Sequence, residues 1–227
     1  MPASPSSTAG SEFTALTADV TALCTPLLTR VTGTHALLLD GANGEPPAST
    51  GYGRWTVLRP DQGGGWCGEL RLDTSYLPFG DEAFCALLVR FVGSAGIAPE
   101  DIAEELARVL APHGLLLVAE LHPHSLWHPR HAEGALAGGA AMAPRRWLRA
   151  LAAVGLCVDP AVRCGAPWPR AAGAAGLPRW LVRHLGGAYL LQARKRSLSG
   201  VVLRKQPVAR RAVEHGTLVP GAHRLRA

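Results

Sequence analysis

The residues of this chain that could do chemistry fall in a few short stretches. Asp40 leads into Gly41, Ala42, Asn43 and Gly44 at the end of the apolar run HALLL. Glycine and asparagine accept positive φ, so the chain can turn sharply there and bring main-chain N–H groups close to a ligand. The same composition also serves an ordinary loop. A second acid, Asp61, precedes Gln62 and three glycines, where a carboxylate can accept from a ligand or simply close a turn. Arg90 and Phe91 leave another apolar run, and an arginine there either neutralises an anionic ligand or bonds a carbonyl at the strand's end. Four histidines, His122, His124, His128 and His131, share the stretch LHPHSLWHPRH. Zinc needs ligands converging from fixed positions, and two pairs of imidazoles in a proline-containing loop define no such geometry, so no metal site is expected. His122 has the chemistry to take a proton near neutral pH. The five cysteines are scattered, odd in number and never spaced CxxC, which points to reduced thiols rather than disulfides or zinc.

The elements that must position these residues follow from periodicity. Residues 84–89 are an apolar strand. Pro99 opens a helix with Ile102, Leu106, Val109 and Leu110 on one face and acids in its first turn, where the exposed N–H groups favour them. Pro112, His113 and Gly114 stop that helix, and LLLVAEL follows as a second buried strand. Strand, crossover helix and strand make a βαβ unit and imply a parallel sheet. Residues 35–40 give a first strand, 54–61 a second, and GELRLDTSYLPF (68–79) a third. A helix from Phe13 should bury Leu16, Val20, Leu23 and Leu27, and Pro144 starts another with Trp147, Leu148, Leu151 and Val154 on one face, ended by Gly155. LCVDPAVRC and GGAYLLQARKR complete the sheet.

The 227 residues are long enough for one domain with a core that needs neither disulfides nor metal. Residues 1–11 are small and polar and read as unstructured, 12–196 as the domain, and 197–227 as a basic tail that supplies much of the net charge of +6. That tail lacks interleaved aromatics and reads first as a solvated terminus, with nucleic acid as an alternative partner. A basic segment followed by an apolar core is missing at the start, and no run approaches the roughly 20 apolar residues that span a bilayer, so a cytoplasmic protein is expected.

Two stretches carry a resemblance. LPFGDEAF with its apolar strand, followed by EELARVLAPHGLLLVAE, resembles the second half of the class I, seven-stranded S-adenosylmethionine-dependent methyltransferases, in which an LPF turn and an ARVL-x-P-x-G helix exit recur. LHPHSLWHPR and the late GGAYLLQARKR are similar, more narrowly, to a bacterial branch of that family. The resemblance implies a doubly wound, mostly parallel seven-stranded α/β sheet with an antiparallel C-terminal hairpin and helices on both faces. It aligns Asp40 with the acid of an acidic-x-Gly-x-Gly cofactor loop, puts Ala42 in place of the first glycine and keeps Gly44 as the second. EPPASTG is poor helix material where the family has a helix, and Cys85 stands where most relatives have Asp. Asp61 takes the place of the ribose-binding acid, and Asp73, with Thr74 after it, that of the adenine contact, at the family's spacing before Phe79. His122, His124 and Trp127 fall in the segment that shapes the acceptor pocket, with Arg90 and Phe91 at its mouth, and 165–185 in the insert that closes over substrate.

The implied activity is transfer of a methyl group from S-adenosylmethionine to a nucleophile on a small molecule. A sulfonium is already an activated electrophile, so the protein has only to hold the nucleophile in line and exclude water, and no catalytic base is assigned. The departures at Ala42, EPPASTG and Cys85 imply an alternative, a catalytically eroded relative acting as a binding or partner subunit.

Overall fold

Continuous aliphatic runs build strands that are covered on both faces, and the computed structural model shows their assembly. It describes residues 5–42, 44–48, 51–61, 65–68, 76–127, 141–169 and 176–196, with main chain alone for 5–12 and 94. Strands β1 (His35–Asp40), β2 (Arg54–Pro60), β4 (Phe84–Arg90) and β5 (Leu110–Leu121) run parallel in the order β2-β1-β4-β5. Ala36 pairs with Ala86 and Asp40 with Arg90, so the carboxyl ends of β1 and β4 are level. Strand β8 (Ala188–Lys195) runs antiparallel beside β5, and β6 (Leu156–Val158) and β7 (Val162–Cys164) both pair antiparallel with β8. LCVDPAVRC yields two strands because Asp159-Pro160 interrupts it and proline has no N–H for the ladder.

The third strand departs from expectation. β3 is only Trp66–Gly68 and runs antiparallel to β2, through a tight turn in which Asp61 N donates to Gly65 O at 2.7 Å. A glycine-rich reversal needs few residues, whereas a parallel crossover needs a dozen or more. Residues 69–75, most of the predicted third strand, lie outside the described residues.

Helix α2 (Pro99–Val109) buries Ile102, Ala103, Leu106 and Val109 and passes directly into β5. Pro112, His113 and Gly114 end the helix as expected but sit within β5 as an irregularity, with Phe84 paired to Leu110 and Ala86 to Leu115. His113 takes φ 61° there. Helix α3 (Pro144–Ala153) buries Trp147, Ala150 and Leu151, and α4 (Arg179–Leu185) precedes β8. Helices α2 and α3 cover one face of the sheet, over Leu37, Leu39, Leu87, Val89, Leu116 and Val118.

Helix α1 covers the other face, over Ala36, Leu38, Ala86, Leu88 and Leu117. It runs Pro5–Leu28, starting inside the 1–11 stretch expected to be unstructured; proline suits a helix's first turn, where its missing N–H is not needed. Its buried stripe is Leu16, Val20, Cys24 and Leu28, so the expected face holds at Leu16 and Val20, with Leu27 partly packed against it and Leu23 45% exposed. No helix lies between β1 and β2 among the described residues. Tyr52 instead ties that connection to α1, donating to Leu28 O at 2.6 Å and meeting Trp55 edge-on.

Among the described residues no helix is long and apolar enough to cross a membrane. Met1–Ser197 makes one compact unit, and the basic stretch beyond 197 lies outside the described residues.

Candidate functional site

In an open α/β sheet, ligands sit at the carboxyl ends of the strands. Here two neighbouring rows of that rim carry polar side chains, and successive residues of a strand point to opposite faces. The first row holds Asp40 of β1 and Arg90 of β4, and it faces α1. The second holds Glu120 of β5, Tyr189 of β8 and Arg163 of β7, which are paired in register.

Asp40 and Arg90 are both fully buried. Arg90 Nε donates to Asp40 Oδ1 at 3.0 Å, and its NH2 stands 3.0 Å from Oδ2. The loop closes over the same carboxylate, with Gly44 N donating at 2.6 Å and Ala42 N at 3.3 Å. Arg90 uses two further donors on Thr21 Oγ1 of α1 at 2.6 Å and on Glu45 O at 3.1 Å. Gly41 is required by packing, since a Cβ there would run into the Phe91 carbonyl. A Cβ at Gly44 would come within 2.9 Å of Thr17 and 3.0 Å of Arg90. Phe91 is buried, takes φ 53° and lies against Phe13 of α1 with ring centroids 5.0 Å apart. The structure therefore brings Asp40, Ala42, Gly44, Arg90 and Phe91 together and fills the space between them with their own side chains and those of α1.

In the second row Glu120 is buried, accepts from Gly93 N at 2.8 Å, and has its carboxyl pushed up to about 8 by burial, against the opposing pull of the Gly93 and Val92 N–H groups. Tyr189 donates to Met142 O at 2.8 Å. His122 stands edge-on to Tyr189 and beside His124, with centroids 6.3 and 5.7 Å away. His124 N donates to His122 Nδ1 at 3.2 Å. Burial, then the nearby charges of Arg163 and His124, push the His122 imidazole down to about 4. The expectation of a proton exchanged near neutral pH is corrected accordingly. Trp127 is buried on the α1 side, where its indole donates to Ala166 O at 2.8 Å and fixes the start of the 165–185 insert.

Asp61 follows the carboxyl end of β2, the strand beside β1, at the head of the β2–β3 turn, and Asp73 and Thr74 lie outside the described residues. No cluster of metal-ligating side chains occurs among the described residues. Sequence reasoning missed Glu120 and Arg163. An acid inside the aliphatic run LLLVAEL was an available sign for Glu120, while Arg163 in a three-residue strand offered none. A cavity of about 280 Å³ lies at the opposite rim, lined by His35, Arg54, Thr56, Leu58, Phe79 and Phe84. That is just below the usual range of ligand pockets, which begins at about 300 Å³.

The first row can be tested against the cofactor that the resemblance implies. S-adenosylmethionine carries an ammonium and a sulfonium, and these need acceptors at the end of β1. The Asp40 carboxylate is already taken by two guanidinium nitrogens and two main-chain N–H groups, and a buried guanidinium repels a second cation. The Asp40–Arg90 pair therefore offers these cations no free carboxylate in this arrangement.

No family model and no curated protein sequence matches the chain. Solved structures do. A chain of the complex between the Haloferax volcanii Trm112 methyltransferase activator and a putative methyltransferase is 17% identical, with TM-score 0.55 over 78% of this chain and 89% of that one. A putative methyltransferase from Bacillus halodurans C-125 is 16% identical, with TM-score 0.52 over 77% and 98%. The [4+2]-cyclase SpnF is 19% identical, with TM-score 0.51 over 77% and 80%. At these identities the likeness concerns architecture, and by its strand order, central parallel strands and antiparallel edge this chain has the fold of the class I S-adenosylmethionine-dependent methyltransferases.

Proposed function

We propose that this chain keeps the methyltransferase architecture without methyl transfer and acts as a binding or partner subunit. The observation that carries this reading is the buried Asp40–Arg90 pair, which occupies the end of β1 and is sealed by Thr21 of α1. Opening that place to a ligand means separating two buried charges, which costs about 3–5 kcal/mol when one partner is lost. The surface supports a partner role. Of seven large apolar side chains exposed among the described residues, five, Leu126, Val162, Trp168, Trp180 and Leu185, follow β5 in the sequence. The Haloferax structure is an example of this fold in a complex with an activator.

A second reading, S-adenosylmethionine-dependent methylation of a small molecule, is favoured by the polar second row of Glu120, Tyr189 and His122 at the β5 exit. In it the bound cofactor would supply the electrophilic methyl group, and the second row would orient the acceptor. Thermal unfolding separates the two readings. Millimolar S-adenosylhomocysteine is expected to leave the melting temperature unmoved, whereas an intact site at 100 times its dissociation constant adds about 2.7 kcal/mol. A saturable rise of that size would overturn the non-methylating reading.

A further inference from the structure

We infer that Arg163, His122 and His124 form a binding site for the oxyanion of a small carboxylate or phosphate at the carboxyl rim of β5 and β7. Arg163 Nε is buried with no hydrogen-bond partner, although NH1 of the same guanidinium donates to His184 O of α4. The Nε edge of a guanidinium presents two parallel N–H groups, the geometry that grips a carboxylate or phosphate bidentately. No salt bridge to a described residue engages Arg163, and partial burial holds its pKa below the ordinary arginine value. A buried donor without an acceptor is costly, and an oxygen of an anionic ligand removes that cost.

The histidines complete the site. His122 Nδ1 accepts from His124 N, so the neutral ring carries its proton on Nε2 and is a donor there. With His122 held neutral to about pH 4, that donor persists at physiological pH. The ring is steadied edge-on by Tyr189, whose register partner on β7 is Arg163. This row lies on the opposite face of the sheet from Asp40 and Arg90, so the inference stands whether or not the cofactor place opens.

The test is a titration of the full chain at constant ionic strength with sodium phosphate in one arm and sodium acetate in the other, reading the imidazole C–H resonances of His122 and His124. A saturable displacement of both histidines is expected in at least one arm, and the arm that saturates at lower concentration identifies the oxyanion. Replacing Arg163→Met should weaken that binding about ten-fold or more, the loss typical of one charge-assisted pair. Arg163→Lys keeps the charge but loses the fork, so it should also bind more weakly than the native chain, and it serves if the methionine variant does not fold. Displacements that grow linearly in both arms, or a foldable variant with undiminished affinity, would overturn the inference. Because S-adenosylhomocysteine is absent from these samples, the outcome is independent of the methylation test.

Discussion

Two carboxylates, equally buried, meet opposite electrostatic surroundings in this molecule. Asp40 has a guanidinium at 3.0 Å, whereas Glu120 accepts from main-chain N–H groups and forms no salt bridge with a described residue. Burial therefore favours the protonated form of Glu120 and raises its carboxyl to about 8. The folded value lies above the unfolded one, so the native state holds a proton that the unfolded chain releases between about pH 4.5 and 8. The stabilisation from that proton is complete below the lower limit and disappears as pH rises through the upper one. Within the window each pH unit should lower stability by about 1 kcal/mol. Glu120→Gln removes the titration, and urea unfolding at pH 5, 6, 7 and 8 should show a flatter profile than the native chain. Identical slopes in the two proteins would refute this account of Glu120.

At the scale of elements, the two sequence stretches that carry the family resemblance prove to be one structural device. Arg108 of α2 donates to Leu77 O and Phe79 O, each at 2.8 Å, and also to Asp81 and Glu105. Glu105 in turn accepts from Leu77 N at 2.8 Å. The LPF turn is thus held by the helix that follows it. Helix α1 buries Leu16 and Val20 as its periodicity implies, but continues through Cys24 and Leu28 rather than Leu23. Thr17, Thr21 and Thr25 each donate back to the carbonyl four residues earlier, at 2.9, 2.7 and 2.8 Å. A hydroxyl satisfied within its own helix can face the interior, so Thr17 and Cys24 lie inside and Leu23 outside. Arg108→Met should destabilise the chain by about 1 kcal/mol, since two main-chain carbonyls lose their donor at a partly exposed site while Glu105 keeps Leu77 N. Arg108→Lys should recover little, because an ammonium cannot reach all these acceptors at once. A loss below about 0.5 kcal/mol in equilibrium urea unfolding would mean that the turn is held by packing alone.

At the scale of the whole molecule, the parallel centre of the sheet was legible because strands covered on both faces must be aliphatic throughout. The reversal of β3 was not, because three glycines permit either a hairpin or a ligand loop. The Asp40–Arg90 pair was equally hidden: its members are fifty positions apart, and each alone suits a ligand site as well as a partner across the sheet. The boundary of the folded unit follows from the same sheet. Its last strand ends at Lys195, and the compact unit ends at Ser197. Six basic residues and one acid follow Ser197, so most of the excess positive charge lies beyond the unit that carries the core. A chain terminated at Ser197 is therefore expected to melt within about 2 °C of the full-length protein, the change produced by a few tenths of a kcal/mol in a domain of this size. It should also elute earlier from a cation-exchange column, because charge outside a core governs adsorption rather than folding. If the shortened chain instead melts several degrees lower, residues beyond 197 contribute to the packed core, and the division between domain and tail has to be moved.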